Sequence, residues 1–180
     1  MLSRGSNEYS KEDLARIFEE MGVRFGFGTD RYKTEFGTLV TKEDFASLAQ
    51  VVSDVARNPA FPSHELPQVL REMRAGLTRR MNDTASLADN ALMQTLYPAG
   101  HPFYETSFDQ QVAELDQISV NDLSSYHRDY YSPKGTIVTV VGDIETEEAV
   151  KVITAAFGDW VGPARRELSV PEVSLPTAAK

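Results

Sequence analysis

Residues 96–104 read Leu96-Tyr97-Pro98-Ala99-Gly100-His101-Pro102-Phe103-Tyr104. Each proline lacks a backbone N–H and fixes its φ, and the glycine between them is a further breaker, so neither a helix nor a central strand runs through the stretch. It must be irregular or extended, yet it is unusually aromatic for a loop. Just upstream, Leu87, Ala91, Leu92 and Leu96 recur at helical spacing and predict a helix over about 85–96. Two short helices are expected downstream, one near 109–115 and one capped by Ser119 that stops at Tyr131-Ser132-Pro133.

Further toward the N-terminus, Ser10 with Asp13 has the form of a helix cap with an acid in the first turn, and Leu14, Ile17, Phe18 and Met21 repeat on one face before Gly22 ends the helix. Val23, Phe25 and Phe27 then alternate with polar or small residues. After a turn expected at Gly28-Thr29-Asp30, Tyr32, Thr34, Phe36, Thr38 and Val40 alternate again, which predicts an antiparallel hairpin over 23–40. Thr41 is placed to cap a helix whose stripe is Phe45, Leu48, Val51, Val52 and Val55, ending near Asn58-Pro59. A longer helix follows from Ser63 to Met81, with Pro67 tolerated in its first turn.

On the C-terminal side, Thr136-Ile137-Val138-Thr139-Val140-Val141 is bounded by Gly135 and Gly142 and reads as a strand buried on both faces, with a helix over 145–157 against it. Beyond Trp160 the chain turns polar, with Pro163, Pro171 and Pro176 spaced along it, and has the composition of an extended linker.

Composition bounds the function. The chain has 180 residues, 18 Lys and Arg against 27 Asp and Glu, and a net charge of −9. That balance argues against nucleic acid and anionic lipid as partners, since both require clustered cations to neutralise phosphate. The basic cluster Arg71, Arg74, Arg79 and Arg80 falls at helical spacings and reads as a solvated helix face. With no cysteine, disulfide scaffolds and zinc ribbons are excluded. No signal peptide and no stretch of the roughly 20 apolar residues needed for a membrane span is visible. The compartment is not indicated.

The three histidines, His64, His101 and His127, are far apart, and no two share the i, i+4 spacing of a helical metal site. His64 sits beside Glu65 but is followed by Leu66-Pro67-Gln68, so neither histidine–glutamate motif of the zinc peptidases is completed. No serine lies in a nucleophile elbow, and Gly22, Gly26 and Gly28 fit no phosphate loop. No catalytic, metal-binding or substrate-binding residue is assigned.

Taken in order, several segments resemble the insulinase/pitrilysin family of zinc metallopeptidases, which includes the mitochondrial processing peptidase and the respiratory core proteins. They are Arg4-Gly5-Ser6, Glu19-Glu20-Met21-Gly22, Asn58-Pro59-Ala60-Phe61-Pro62, the 96–104 stretch, Leu115 to Leu123, Tyr126 to Pro133, Val138 to Ile144, and Phe157-Gly158-Asp159-Trp160. Each is weak alone; their joint order and spacing over about residues 3–160 carries the resemblance.

The resemblance implies an α+β fold, an antiparallel (mixed) sheet packed on one face by helices, here truncated. Residues 1–160 would be a subdomain lacking its N-terminal strands and zinc-motif helix, and 161–180 a Pro-containing linker to an absent second subdomain. The family's His-x-x-Glu-His motif would lie ahead of Arg4. Its third zinc ligand is a glutamate seven residues after another acid; matching that acid to Glu72 puts Arg79, a cation that cannot bind zinc, at the ligand position. A different alignment puts Glu72 there.

What is implied is therefore a non-catalytic half that pairs with a catalytic zinc half, in the same chain or as a separate subunit, to enclose a peptide. The chain itself would hold no cofactor, zinc being in the partner or in the missing N-terminal part. Alternatives are a fragment of an active half and a scaffold subunit like the respiratory core proteins. Loss of the opening strands predicts an uncovered sheet edge and self-association.

Overall fold

The computed structural model describes residues 1–164 and 169–173. The expected linker at 161–180 therefore falls partly outside the described residues. Those described form two compact units, residues 1–67 with 119–164, and 68–118 with 169–173.

In the first unit, a 3-10 turn (Leu2–Arg4) leads to α1 (Lys11–Glu20). Ser10 caps α1 by accepting the Asp13 N–H, while the Asp13 carboxylate accepts the Ser10 N–H, so both orphan donors are met. The hairpin is shorter than expected. Strands β1 (Gly28–Thr29) and β2 (Thr34–Glu35) pair antiparallel, Gly28 opposite Glu35 and Thr29 opposite Thr34, and the turn lies at 30–33 rather than 28–30. Asp30 decides this, because its Oδ1 accepts the N–H groups of both Tyr32 and Lys33 at 2.7 and 3.0 Å.

Helix α2 (Phe45–Arg57) supplies the centre of the core. Leu48, Val51 and Val55 meet Leu14 and Phe18 of α1, with Leu2, Val23 and Phe61 closing the cluster. Phe18 stacks on Phe25 at 3.9 Å between ring centroids, and Phe27 and Phe36 each lie 5.6 Å from Phe25. The alternation of aromatic residues in 23–36 therefore serves packing more than strand pairing. Thr41 Oγ1 accepts the Asp44 N–H in the turn that leads into α2, a step earlier than a helix cap.

Helices α6 (Val120–Tyr130) and α7 (Thr146–Phe157) complete this unit. Small buried side chains, Ala49, Ser53 and Ala156, let α2 and α7 approach closely. Ser53 Oγ donates to the Ala156 carbonyl at 2.5 Å, and Arg57 Nη1 donates to the same carbonyl and, at 2.7 Å, to Asp159. Tyr131 donates its hydroxyl to Thr34 Oγ1 at 3.1 Å, tying the end of α6 to the hairpin.

The run 135–142, read as a buried strand, is corrected here: it has no ladder partner among the described residues and lies in solvent, with Ile137 and Val141 about nine-tenths exposed. A β-branched run becomes a strand only where a neighbour accepts from its N–H groups and donates to its C=O groups, and among the described residues no strand lies beside it. The fold is thus α+β, mostly helical, with one small antiparallel sheet among the described residues.

The second unit contains most of α3 (Leu66–Met81), with α4 (Thr84–Leu96) and α5 (Phe108–Leu115). Helix α3 starts at Leu66 rather than Ser63, which leaves Pro67 in its first turn. Its arginines are partly spent inside this unit: Arg74 pairs with Asp116, and Arg80 lies 3.7 Å from Glu105 with its guanidinium 4.8 Å above the Phe108 ring. Buried Asn90 donates to the Thr106 carbonyl at 3.0 Å and accepts from Gln94 at 2.7 Å, bracing α4 against the loop after residue 104.

Candidate functional site

The resemblance puts the weight on Glu72 and Arg79, to which the three histidines and, from the structure, Glu65 are added. Glu65 lies one residue before α3. Both its oxygens receive the Lys11 ammonium, at 2.8 and 3.0 Å, and Arg4 Nη1 lies 3.3 Å from Oε2. The Lys11 hydrogen bond is the main reason its carboxyl titrates below the ordinary value, with the charges of Lys11, Arg4 and His64 adding to it. Glu65 was not singled out in the sequence. The available signal was spacing, since Glu65 stands seven residues before Glu72, as Glu72 stands seven before Arg79.

Glu72 is exposed on α3 and accepts from Gln68 Nε2 one turn earlier, at 2.8 Å. Arg79 is exposed in the last turn of α3, where a cation interacts favourably with the carbonyl end of the helix.

The histidines are equally separate. His64 is exposed, 4.0 Å from Glu65. His127 sits in the first unit, its Nε2 2.7 Å from the Ala56 carbonyl, its ring stacked on Tyr131 at 4.7 Å and edge-on to Phe61 at 5.8 Å. That accounts for it as a clamp on the last turn of α2. Phe61 holds its ring there with a φ of 43°, a left-handed value strained for a bulky residue. His101 is buried in the second unit against a backbone carbonyl and a backbone N–H.

Zinc demands three or four nitrogen, sulfur or carboxylate ligands within about 2.3 Å of one point. Among the described residues no three His, Asp or Glu side chains converge in this way. The residues present do not fit the ion.

Two open depressions lie on the described surface. One of about 470 Å³, between α1 and α2, has Ile17, Met21 and Val51 with Glu20 and Asp44 around it. The other, about 410 Å³, lies between α3 and α5 and is mostly apolar, with Met73, Leu77, Leu115 and Ile118. Neither is lined by a histidine. Among the described residues no helix is long and apolar enough to cross a membrane.

The family model for insulinase (peptidase family M16) matches residues 1–106, and that for the peptidase M16 inactive domain matches 117–180. Among curated proteins, a probable mitochondrial-processing peptidase subunit beta of Schizosaccharomyces pombe is 23% identical over 170 residues, 93% of this chain and 36% of its own length. Among solved structures, a peptidase M16 inactive domain from Pseudomonas fluorescens superposes with a TM-score of 0.82 at 21% identity, over 99% of this chain and 43% of that one. The first half of the periplasmic protease PqqL from Escherichia coli gives 0.72 at 18%, over 94% and 38%. The chain thus spans less than half the length of these relatives. With a family model covering more than half of its residues, the chain belongs to the insulinase family, peptidase family M16.

Proposed function

We propose that this chain is part of a non-catalytic half of an M16 metallopeptidase, which pairs with a zinc-bearing half to enclose peptide substrates. The observation that carries the reading is Arg79: it stands seven residues after Glu72, where the resemblance puts a zinc-binding glutamate, and it is exposed in the last turn of α3. A catalytic half must instead present a carboxylate at that position, since a guanidinium cannot bind zinc. The match of residues 117–180 to a model described as an inactive domain points the same way. In this reading residues 1–160 are a subdomain without its opening strands and zinc-motif helix, 161–180 lead to a second subdomain, and zinc chemistry belongs to the partner.

The test is zinc per chain by elemental analysis, after incubation with zinc and exhaustive dialysis, followed by mixing with the zinc-bearing M16 protein of the same organism. Substoichiometric zinc together with a stable complex by size-exclusion chromatography is the expected result. One tightly held zinc per chain overturns it.

One observation favours a second reading, a fragment of an active half: the Glu65–Glu72 spacing of seven, with Glu72 exposed on α3. A His-x-x-Glu-His motif upstream in the same reading frame would decide for it.

A further inference from the structure

We propose that His101 is a clasp, selective for one imidazole tautomer, that holds residues 169–173 as a strap on the aromatic loop 97–104. The ring is 6% exposed although it lies in a loop. Its Nδ1 is 3.1 Å from the Phe103 backbone nitrogen, which can only donate, so Nδ1 must keep its lone pair. Its Nε2 is 3.1 Å from the Pro171 carbonyl, which can only accept, so Nε2 must carry the proton. The two demands are met together by the neutral Nε2–H form and by no other state of the ring.

The loop is built to present the ring in this way. Gly100 takes a φ of 87° and the His101 N–H closes a turn on the Pro98 carbonyl at 3.0 Å, which reverses the chain just before the ring. Tyr97 stacks on one side, 4.6 Å between centroids and 17° between planes, and Phe103 lies 5.6 Å away. An imidazole so packed cannot turn over without breaking both hydrogen bonds. On the strap, Pro171 has no N–H, which leaves its carbonyl as its backbone handle. The strap is therefore held to the loop at the edge of the His101 ring, and opening the clasp releases residues 169–173 from it.

Two measurements test this on the chain as it stands. Nitrogen-15 NMR of histidine-labelled protein near neutral pH should show His101 with a protonated Nε2 and an unprotonated Nδ1; a predominant Nδ1–H form, or rapid averaging between tautomers, overturns the clasp. Cleavage after Glu172 by a glutamate-specific protease should speed up about tenfold in His101→Ala, as the open population rises. His101→Gln, which keeps a donor near the Nε2 position, should stay closer to the parent. Cleavage unchanged in His101→Ala overturns the strap, and the NMR result on the unmodified protein stands even if that variant folds poorly.

Discussion

Lys11 Nζ bonds both carboxylate oxygens of Glu65, 54 residues further along the chain, and Arg4 approaches one of the same oxygens. The acid that precedes Glu72 by seven positions thus pins the entrance of α3 to the start of α1. Glu65→Gln keeps the shape and removes the charge, so it should lower the melting temperature, whereas Glu72→Gln, on an exposed face, should leave it nearly unchanged. Differential scanning fluorimetry of the pair checks this, and equal effects would remove the structural role assigned to Glu65.

Several carboxyls titrate below their ordinary values for a shared reason, acceptance of hydrogen bonds by the charged form. Asp13, Asp83 and Asp122 accept from the Ser10, Ser86 and Ser119 hydroxyls and backbone N–H groups, Glu65 accepts from Lys11, and Asp159 from Arg57. A carboxyl whose folded pKa is depressed contributes stability that is fully present above its unfolded pKa and is lost as pH falls through the folded one. The melting temperature should therefore hold between about pH 7 and 5 and fall below about pH 4. Thermal melts across that range read it directly, and a rise on acidification would contradict these bonds.

The core of the first unit should behave as a packed interior. Leu14, 1% exposed, meets Phe18 and the α2 stripe, so Leu14→Ala should cost about 2–5 kcal/mol, the usual range for a cavity of that size. Leu39, 92% exposed, should tolerate alanine within about 0.5 kcal/mol. Urea unfolding of both variants gives the comparison.

Helix α6 depends on its first turn. The Ser119 hydroxyl accepts the Asp122 N–H at 3.3 Å and Asp122 accepts the Ser119 N–H at 2.8 Å. Ser119→Ala should cost about 1 kcal/mol, and Ser119→Asp should recover most of it. Chemical denaturation separates the two variants.

The uncovered run 136–141 has a consequence in solution. It is uncharged, β-branched and unpaired among the described residues, the chemistry that recruits strands from other chains. Concentration-dependent association by analytical ultracentrifugation is expected, and Ile137→Lys with Val141→Lys should suppress it. A chain that stays monomeric at high concentration would count against that exposure.

The helices were legible because their signals are local. Ser10 and Ser119 cap as their neighbours require, and the stripe of α2 packs where its spacing points. The sheet was not legible in the same way: residues 136–141 have every intrinsic preference of a strand, but pairing depends on a neighbour, which propensity does not encode. The hairpin turn moved because one Asp30 carboxylate, bonding forward to two amides, outweighed the glycine before it. At the candidate site, the separation of the histidines could be read from spacing, whereas the Glu65 clamp joins residues 54 and 61 apart and is visible only in three dimensions.

The seam between α2 and α7 sets an order of events during synthesis. Ser53 and Ala156 are 103 residues apart, so the partner of the α2 face leaves the ribosome long after α2 itself. Until then the Ala49 and Ser53 face stays open to other nascent chains. Closing so long a loop is also slow, since its entropy is lost before its contacts form. Residues 68–118 emerge in that interval and can pack among themselves, but residues 169–173, which belong to the same unit, follow only after α7.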